Sequence, residues 1–222
     1  MTFSLIALDD DRLTLGVACA TGGPALGGFV PHLLPGVGAA ITQGYSTHVM
    51  AAEQGLARLA AGETVTAVVD VLRRADRGEA WRQVALMDLQ GEAAGWTGAR
   101  NVPICDMHLA PGLVVAGNML GSHEVIPAMG AAFREARSAG QALAEALLAA
   151  LAAGQQAGGD QRGTLSAALK VRAPGGLPLD LRIDQAADAV GELGALYRCI
   201  QADEAFQAFL ARLPTADDPH RY

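Results

Sequence analysis

Alternating apolar and polar positions predict that the chain opens with a β-hairpin. From Thr2 to Leu8 every second side chain falls on the same face, and Leu13 to Ala20 gives a second strand. The three aspartates between them, Asp9 to Asp11, are typical of a tight turn. A loop rich in glycine and proline follows. Gly36 to Gln43 is then predicted as a third strand of small residues.

Helical spacing then replaces the alternation. One face of the first predicted helix carries Val49, Ala52, Leu56 and Leu59. A second helix is predicted to start at Thr64, a residue type that caps helix N-termini well, and to run to about Ala75. Three strands are predicted next: Trp81 to Leu89, Ala93 to Thr97 and Leu113 to Asn118.

The same alternation of element types repeats toward the C-terminus. Two helices are predicted, one capped by Ser122 with the stripe Val125, Ile126, Met129 and Phe133, the other with Leu143, Leu147 and Leu151. After a glycine-rich loop come the strands Leu165 to Arg172 and Leu179 to Asp184, and a helix with Val190, Leu193, Tyr197 and Ile200. Hairpin-joined strands with segregated helices predict an α+β fold of antiparallel sheets covered by helices, not a doubly wound parallel sheet.

Composition narrows the function classes. The chain has 222 residues, 51% of them hydrophobic, a net charge of −7 and no cluster of lysine and arginine, so we expect one domain that binds no nucleic acid. No apolar run is long enough to span a bilayer and no signal-peptide pattern is evident, which predicts a cytoplasmic protein without a membrane partner. No nucleotide-binding motif occurs, and the histidines and cysteines show no metal-ligand spacing, so no cofactor and no metal are expected.

The N-terminus carries candidate chemistry. Thr2 follows Met1 and begins the first strand, and a small second residue permits removal of the initiator methionine. The exposed threonine would then carry a hydroxyl and a free α-amine with a pKa near ~7.7–8, suited to a general base at neutral pH. An N-terminal amine is one known activator of a threonine nucleophile. An ordinary chain start gives the same two residues, so this pattern alone leaves both interpretations open.

A set of short motifs resembles an uncharacterised bacterial family that is grouped with the N-terminal-nucleophile (Ntn) hydrolases. In order they are Thr2-Phe3-Ser4-Leu5-Ile6-Ala7 with Leu15-Gly16-Val17-Ala18, then Gly36-Val37-Gly38-Ala39 with Thr42-Gln43, then Gly117-Asn118-Met119-Leu120, then Gly158-Gly159-Asp160 with Arg162-Gly163 and Ser166-Ala167-Ala168-Leu169, and finally Asp180-Leu181-Arg182-Ile183-Asp184. The resemblance spans roughly residues 2 to 198. Each motif is modest, but their shared order is specific.

The resemblance implies a four-layer αββα sandwich, with two antiparallel sheets between helix layers, over residues 1–198, and a C-terminal helical extension and polar tail over 199–222. It also implies hydrolysis of an amide bond by the N-terminal residue. Two departures affect the site. The pair Thr164-Leu165 stands where a more polar pair is expected, and Lys170, the sole lysine, lies on a late strand instead of beside the nucleophile.

Five residues are candidates to assist Thr2. Gln43 and Asn118 end apolar strands and could donate to an oxyanion, or hydrogen-bond to nearby backbone. Asp160 and Arg162 could bind a polar end of the substrate, or form an ion pair that holds their loop. Ser166 could orient the Thr2 amine, or serve the backbone.

The sequence therefore predicts hydrolysis of a small amide or a related acyl or peptide bond, with Thr2 as nucleophile and its own amine as base. The alternative is a non-catalytic Ntn-like scaffold that binds a small ligand or a protein partner. The ligand class expected in the first case is a small amide-like molecule. A homo-oligomer is compatible with either hypothesis.

Overall fold

A computed structural model describes residues 2–221 of the protein. The strands are β1 (Thr2–Leu8), β2 (Leu15–Thr21), β3 (Pro31–Leu34), β4 (Gly38–Gly44), β5 (Arg82–Asp88), β6 (Ala93–Thr97), β7 (Cys105–Ala110), β8 (Leu113–Asn118), β9 (Ser166–Arg172) and β10 (Leu179–Ile183). The α-helices are α1 (Val49–Ala60), α2 (Val65–Ala75), α3 (Val125–Ser138), α4 (Leu143–Gln156), α5 (Ala189–Ala202) and α6 (Glu204–Leu210).

The strands form two sheets in which every pairing is antiparallel. The order is β10-β9-β2-β1-β8-β7 in the six-stranded sheet and β3-β4-β5-β6 in the four-stranded sheet. Helices α3, α4 and α5 pack on the outside of the first sheet, and α1 and α2 on the outside of the second. The four-layer αββα sandwich of the α+β class is therefore confirmed, with antiparallel sheets facing each other between helix layers.

Alternate side chains of β1 belong to two different hydrophobic cores, one on each face of the six-stranded sheet. Phe3 and Leu5 belong to the cluster beneath α3 and α4, whereas Ile6 belongs to the cluster between the sheets, and all three are 0% exposed. A strand buried on both faces must be apolar throughout, and burial of each large side chain stabilises the fold by roughly 1.5–3 kcal/mol. Any polar side chain on such a strand therefore needs a partner.

Three elements escaped the sequence prediction. β3 and β7 are edge strands with half-exposed and exposed positions, so their apolar periodicity is weak. α6 is a short helix within the predicted polar tail, with no buried residue. Ser122 does not cap α3 as predicted, because it lies two residues before the N-cap position: α3 begins after Glu124, and the Ser122 hydroxyl accepts the Glu124 N–H at 3.1 Å.

Among residues 2–221 no helix is both long and apolar enough to cross a membrane.

Candidate functional site

A row of side chains crosses one end of the six-stranded sheet and starts the candidate site. Thr2 pairs in register with Asn118 on one side and with Thr21 on the other, and Thr21 pairs with Ser166. All four face the second sheet, because alternate residues of their strands, such as Ile6, line the inter-sheet core. Antiparallel pairing thus brings together four positions that are far apart in sequence.

The Thr2 hydroxyl leads to a buried carboxylate. Thr2 Oγ1 donates to Thr21 Oγ1 at 3.3 Å, and Thr21 Oγ1 donates to Asp160 Oδ2 at 3.4 Å. Asp160 has a side chain with 0% exposure, and it accepts the Gly22 N–H as well as the backbone and guanidinium N–H groups of Arg162. Arg162 compensates the buried charge while its own side chain stays 48% exposed. The pair therefore holds its loop and also presents a guanidinium near the row.

Ser166 closes the row at its far end. Its hydroxyl donates to the carbonyl of Gly23 at 2.6 Å and accepts the Leu26 N–H at 3.2 Å. Thr21 lies between Ser166 and Thr2 in the register. In this structure Ser166 therefore fixes the loop after β2.

A second polar row faces the first from the four-stranded sheet. Gln43, Gln83 and Thr97 are register partners across β4, β5 and β6. Gln43 Oε1 accepts the Ser4 hydroxyl at 2.6 Å, which joins the two sheets. Gln83 Oε1 accepts Gln43 Nε2 at 2.7 Å and Asn118 Nδ2 at 3.1 Å. We call these five side chains, Ser4, Gln43, Gln83, Thr97 and Asn118, the inter-sheet network.

The backbone sets the direction of every hydrogen bond in the inter-sheet network. Gln83 Nε2 lies 3.0 Å from the carbonyl oxygens of Asp106 and Gly117, which can only accept, so this end of the amide must be nitrogen. Gln83 Oε1 then faces Gln43 and Asn118, so both of those side chains must turn their nitrogen toward it. The orientation of side-chain amides often has to be assigned, but here the two backbone carbonyls allow only one orientation of Gln83.

This direction leaves one buried acceptor without a donor. Asn118 is 0% exposed, and with Nδ2 directed at Gln83 its Oδ1 has no hydrogen-bond partner among the described residues. A buried unpaired carbonyl costs about 1–3 kcal/mol, so its persistence needs an explanation. Asn118 is the register partner of Thr2, so this residue lies directly opposite the candidate nucleophile on the neighbouring strand.

Backbone conformations that non-glycine residues seldom adopt flank the row. Met119, directly after Asn118, has φ 51°, and Ala25, in the loop that Ser166 holds, has φ 56°. Each costs of order 1–3 kcal/mol, and such residues cluster at functional sites.

Thr21, Ser4, Gln83 and Thr97 are the site residues that the sequence prediction did not name. Gln83 carried a usable signal, because a lone glutamine inside an otherwise apolar strand must find partners. Thr21 and Ser4 are common residue types in strands, and only the register shows that they face the same space as Thr2. The expectation about Met1 concerns a residue outside 2–221.

The structure also bears on the exposure of Thr2 and on the expectation about metal ions. Thr2 is 6% exposed, and the two cavities of about 670 and 640 Å³, one between α4 and α5 and the other beside α1, are lined by other residues. Within the described chain no group of three or more histidine, cysteine, aspartate or glutamate side chains could hold a metal ion.

The fold and site define an αββα sandwich with a polar cross-strand site at the head of its central strand. The chain belongs to the family described as being of unknown function (DUF1028), whose model matches residues 2–193. It is similar to a crystal structure of a protein of this family from Silicibacter pomeroyi, with 33% identity, a TM-score of 0.90, and coverage of 99% of this chain and 98% of that one.

A second solved structure is much less similar. It is Anbu (ancestral beta-subunit) from Yersinia bercovieri, with 10% identity and a TM-score of 0.41 over 96% of this chain and 98% of that one. This likeness is too weak to bear on function. No curated protein matches the chain.

Proposed function

We propose that the protein is an N-terminal-nucleophile hydrolase that cleaves a small amide or related acyl bond, with Thr2 as nucleophile. The observation that carries the proposal is the position of Thr2. It heads a central strand, its hydroxyl enters a hydrogen-bonded row, and its register partner Asn118 holds a buried acceptor without a donor. The resemblance of the sequence motifs to a family grouped with the Ntn hydrolases adds to this proposal.

The chemistry proceeds from the free threonine. Removal of Met1 would leave the Thr2 amine uncharged in part at neutral pH. The Thr2 oxygen attacks the substrate carbonyl carbon while its proton passes to the amine. The tetrahedral intermediate collapses, the C–N bond breaks, and the leaving amine takes that proton. Water then hydrolyses the acyl-threonine ester by the reverse proton movements.

Asn118 is proposed to serve the amine. Its Oδ1 accepts a hydrogen bond from the freed Thr2 amine, which supplies the missing donor and stabilises the ammonium formed during attack. The remaining N–H of Asn118 or of Gln43 is the proposed oxyanion donor, a contact worth about 2.7–4 kcal/mol when it is preorganised. Gln43 contacts Ser4, one step deeper than Thr2, so Asn118 is the better placed of the two.

Other parts of the site complete the proposal. Arg162, held by Asp160 and half exposed, would bind a polar end of the substrate, and Ser166 would keep the neighbouring loop in place or turn to the amine. The proposal requires neither a cofactor nor a metal. It places the activity in residues 1–198 and the protein in the cytoplasm, and it leaves the oligomeric state open.

The non-catalytic alternative is favoured by one observation. Thr2 is 6% exposed, whereas a catalytic nucleophile has to be open to its substrate. In that case the sandwich would bind a small ligand or a protein partner and retain its initiator methionine.

Thr2 variants decide between the two. We expect Thr2→Ala to abolish hydrolysis across a panel of small amides and N-acylated amino acids, because the hydroxyl is lost, while circular dichroism stays unchanged. Thr2→Ser keeps hydroxyl and amine and should retain activity. One extra residue before Thr2 should inactivate the enzyme, because it moves the amine away from the hydroxyl.

Intact mass of natively expressed protein provides the independent check. Loss of Met1 is the expected result. Turnover by Thr2→Ala at the wild-type rate would show that another residue is the nucleophile. Retained Met1, together with no cleavage of any amide in the panel, would favour the binding scaffold.

A further inference from the structure

An exposed aromatic pair continues the polar row of the four-stranded sheet outward. Gln43 pairs with Gln83 and Gly44 with Arg82, so Tyr45 and Trp81 stand opposite each other at the next position, just beyond the strand ends. Their ring centroids are 5.1 Å apart with an interplanar angle of 48°. Arg82 is extended, with φ −102° and ψ 154°, so Trp81 lies on the same face as Gln83, about 6.6 Å further out, and the ring contact places Tyr45 beside it.

Both rings of the pair are open to solvent. Tyr45 is 66% exposed and Trp81 39%, in a chain with only 5% aromatic residues. The Arg100 guanidinium lies 5.4 Å from the Trp81 ring centroid, in cation–π contact with it. We call Tyr45, Trp81 and Arg100 the rim platform. Exposed apolar surface beside convergent polar groups is a common mark of a ligand-binding site.

A buried asparagine keeps the rim platform rigid. Asn101 is 0% exposed, and its Oδ1 accepts the Tyr45 N–H at 2.9 Å. Its Nδ2 donates to the carbonyls of Arg82 at 2.9 Å and Gly98 at 3.0 Å. The Asn101 side chain thus links the backbone at Tyr45, Arg82 and Gly98, the segments around the platform. Little conformational entropy has to be lost when a ligand stacks there.

We propose that the rim platform is the subsite for an aromatic group of the substrate, so that the preferred substrates are arylalkyl amides. The inference rests on the proposed function, because it takes Thr2 as the point of cleavage. Facing sheets lie about 10 Å apart, so a scissile amide at Thr2 and a ring at the platform are separated by a short linker. The inter-sheet network is polar and suits the amide, while the rim platform is aromatic and suits the ring.

Binding is measured first, because it does not depend on turnover. Phenylacetamide, cyclohexylacetamide and acetamide are titrated calorimetrically into the Thr2→Ala protein. We expect phenylacetamide to bind about 2- to 13-fold more tightly than cyclohexylacetamide, because stacking adds about 0.5–1.5 kcal/mol beyond area burial and 1.4 kcal/mol is tenfold in affinity. Acetamide, which cannot reach the platform, should bind most weakly. Binding should also shield Trp81 fluorescence from acrylamide, since the other tryptophan, Trp96, is 4% exposed.

Substitutions locate the effect. Trp81→Ala should lower phenylacetamide affinity about 10-fold, whereas Trp81→Phe keeps an aromatic face and should retain most of it. Phe209→Ala is the matched control, because Phe209 is 45% exposed but lies on α6, within the C-terminal extension. It should change nothing. Circular dichroism of each variant excludes unfolding as the cause.

The outcomes separate this inference from the proposed function. If phenylacetamide fails to bind, or binds Trp81→Ala as well as wild type, the subsite is wrong even if Thr2-dependent hydrolysis of other amides is found. If phenylacetamide binds at Trp81 but no amide is cleaved, the platform stands as a ligand site and the hydrolase proposal falls. In the active enzyme, kcat/KM for phenylacetamide over acetamide should fall about 10-fold on Trp81→Ala.

Discussion

Gln83 organises more of the site than any residue named from the sequence. Its amide nitrogen faces Thr97 and two backbone carbonyls, and its oxygen receives Gln43 and Asn118. Asn118 Oδ1 lacks a donor because the side-chain amide of Gln83 has a single possible orientation, with its oxygen toward Asn118 Nδ2. An amide was required here, since no other uncharged side chain of this length offers both two donors and a strong acceptor.

Gln83→Glu tests this organisation with an almost isosteric change. The introduced carboxylate cannot donate to the carbonyls of Asp106 and Gly117, so we expect a loss of about 2–5 kcal/mol in the free energy of unfolding at pH 7. Urea denaturation measures it. Gln90→Glu is the control, because Gln90 is exposed in a turn and should shift stability by less than ~0.5 kcal/mol. Equal effects at the two positions would show that the network direction is wrong.

At the residue scale, the sequence predicts which polar residues end a strand, but it does not predict which residues of other strands lie next to them. Gln43 and Asn118 were identifiable because an amide ends an apolar run, and Thr2 because of its place in the chain. Their mutual arrangement depends on register, which no local pattern encodes. Which atom of Asn118 stays unpaired depends further on Gln83, four strands of sequence away from Thr2.

Between elements, an ion pair connects α2 to the strand that carries Gln83. Arg82 Nε donates to Asp76 Oδ2 at 3.0 Å, and the two side chains are 16% and 9% exposed. Burial alone would raise the pKa of Asp76, but hydrogen bonds from the Gly78 N–H and from Arg82 outweigh it and hold the pKa below its usual value. The pair anchors Arg82, the residue between Trp81 and Gln83.

Asp76→Asn should therefore destabilise the protein in a pH-dependent way. The folded-state pKa is lowered, so the stabilising contribution is present above the unfolded-state value of 3.8 and is lost as the pH falls through the folded value. We expect a loss of about 1–3 kcal/mol at pH 7, because Arg82 loses its charged partner, and a smaller difference near pH 2. Urea unfolding at both values checks it. Asp70→Asn, which removes the exposed pair with Arg74, should cost less than ~0.5 kcal/mol at either pH.

The order of elements was predictable, whereas the edges of the sheets were not. Central strands such as β1 and β8 are buried on both faces and are apolar enough to be recognised. β7 exposes about half of its positions, and its sequence, Cys-Asp-Met-His-Leu-Ala, satisfies no simple pattern. Edge strands are shaped by their partner's hydrogen bonds, and this information lies in β8 and not in β7.

For the whole molecule, the position of the last buried side chain indicates where the sandwich ends along the chain. Leu193 on α5 is the last buried residue, and the positions from 194 to 221 are half-exposed or exposed. The family model also matches as far as residue 193. These two limits support the proposal that the C-terminal segment is an extension of the sandwich.

Deleting residues 204–222 should accordingly leave the fold intact. We expect the melting temperature by circular dichroism to change by no more than about 4 °C, because no buried side chain is removed. Deletion from residue 188 onward is the contrasting variant. It removes the buried Ala189, Val190 and Leu193, and the lost burial of the two larger side chains alone amounts to roughly 3–6 kcal/mol, enough to unfold a marginal domain. A large loss from the shorter deletion would contradict the assignment.

The central position of β1 has a consequence for synthesis of the protein on the ribosome. β1 and β2 emerge first and pair with each other, but their outer neighbours β8 and β9 begin only at residues 113 and 166. At about 5–20 residues per second, roughly 8–30 s pass between the first strand and the last one it depends on. Until β8 is synthesised, the almost wholly apolar hairpin has neither of its sheet neighbours, and it still lacks α4 until residue 156 and β9 until residue 172. We expect this hairpin to be the segment that nascent-chain chaperones bind and the origin of any aggregation during overexpression.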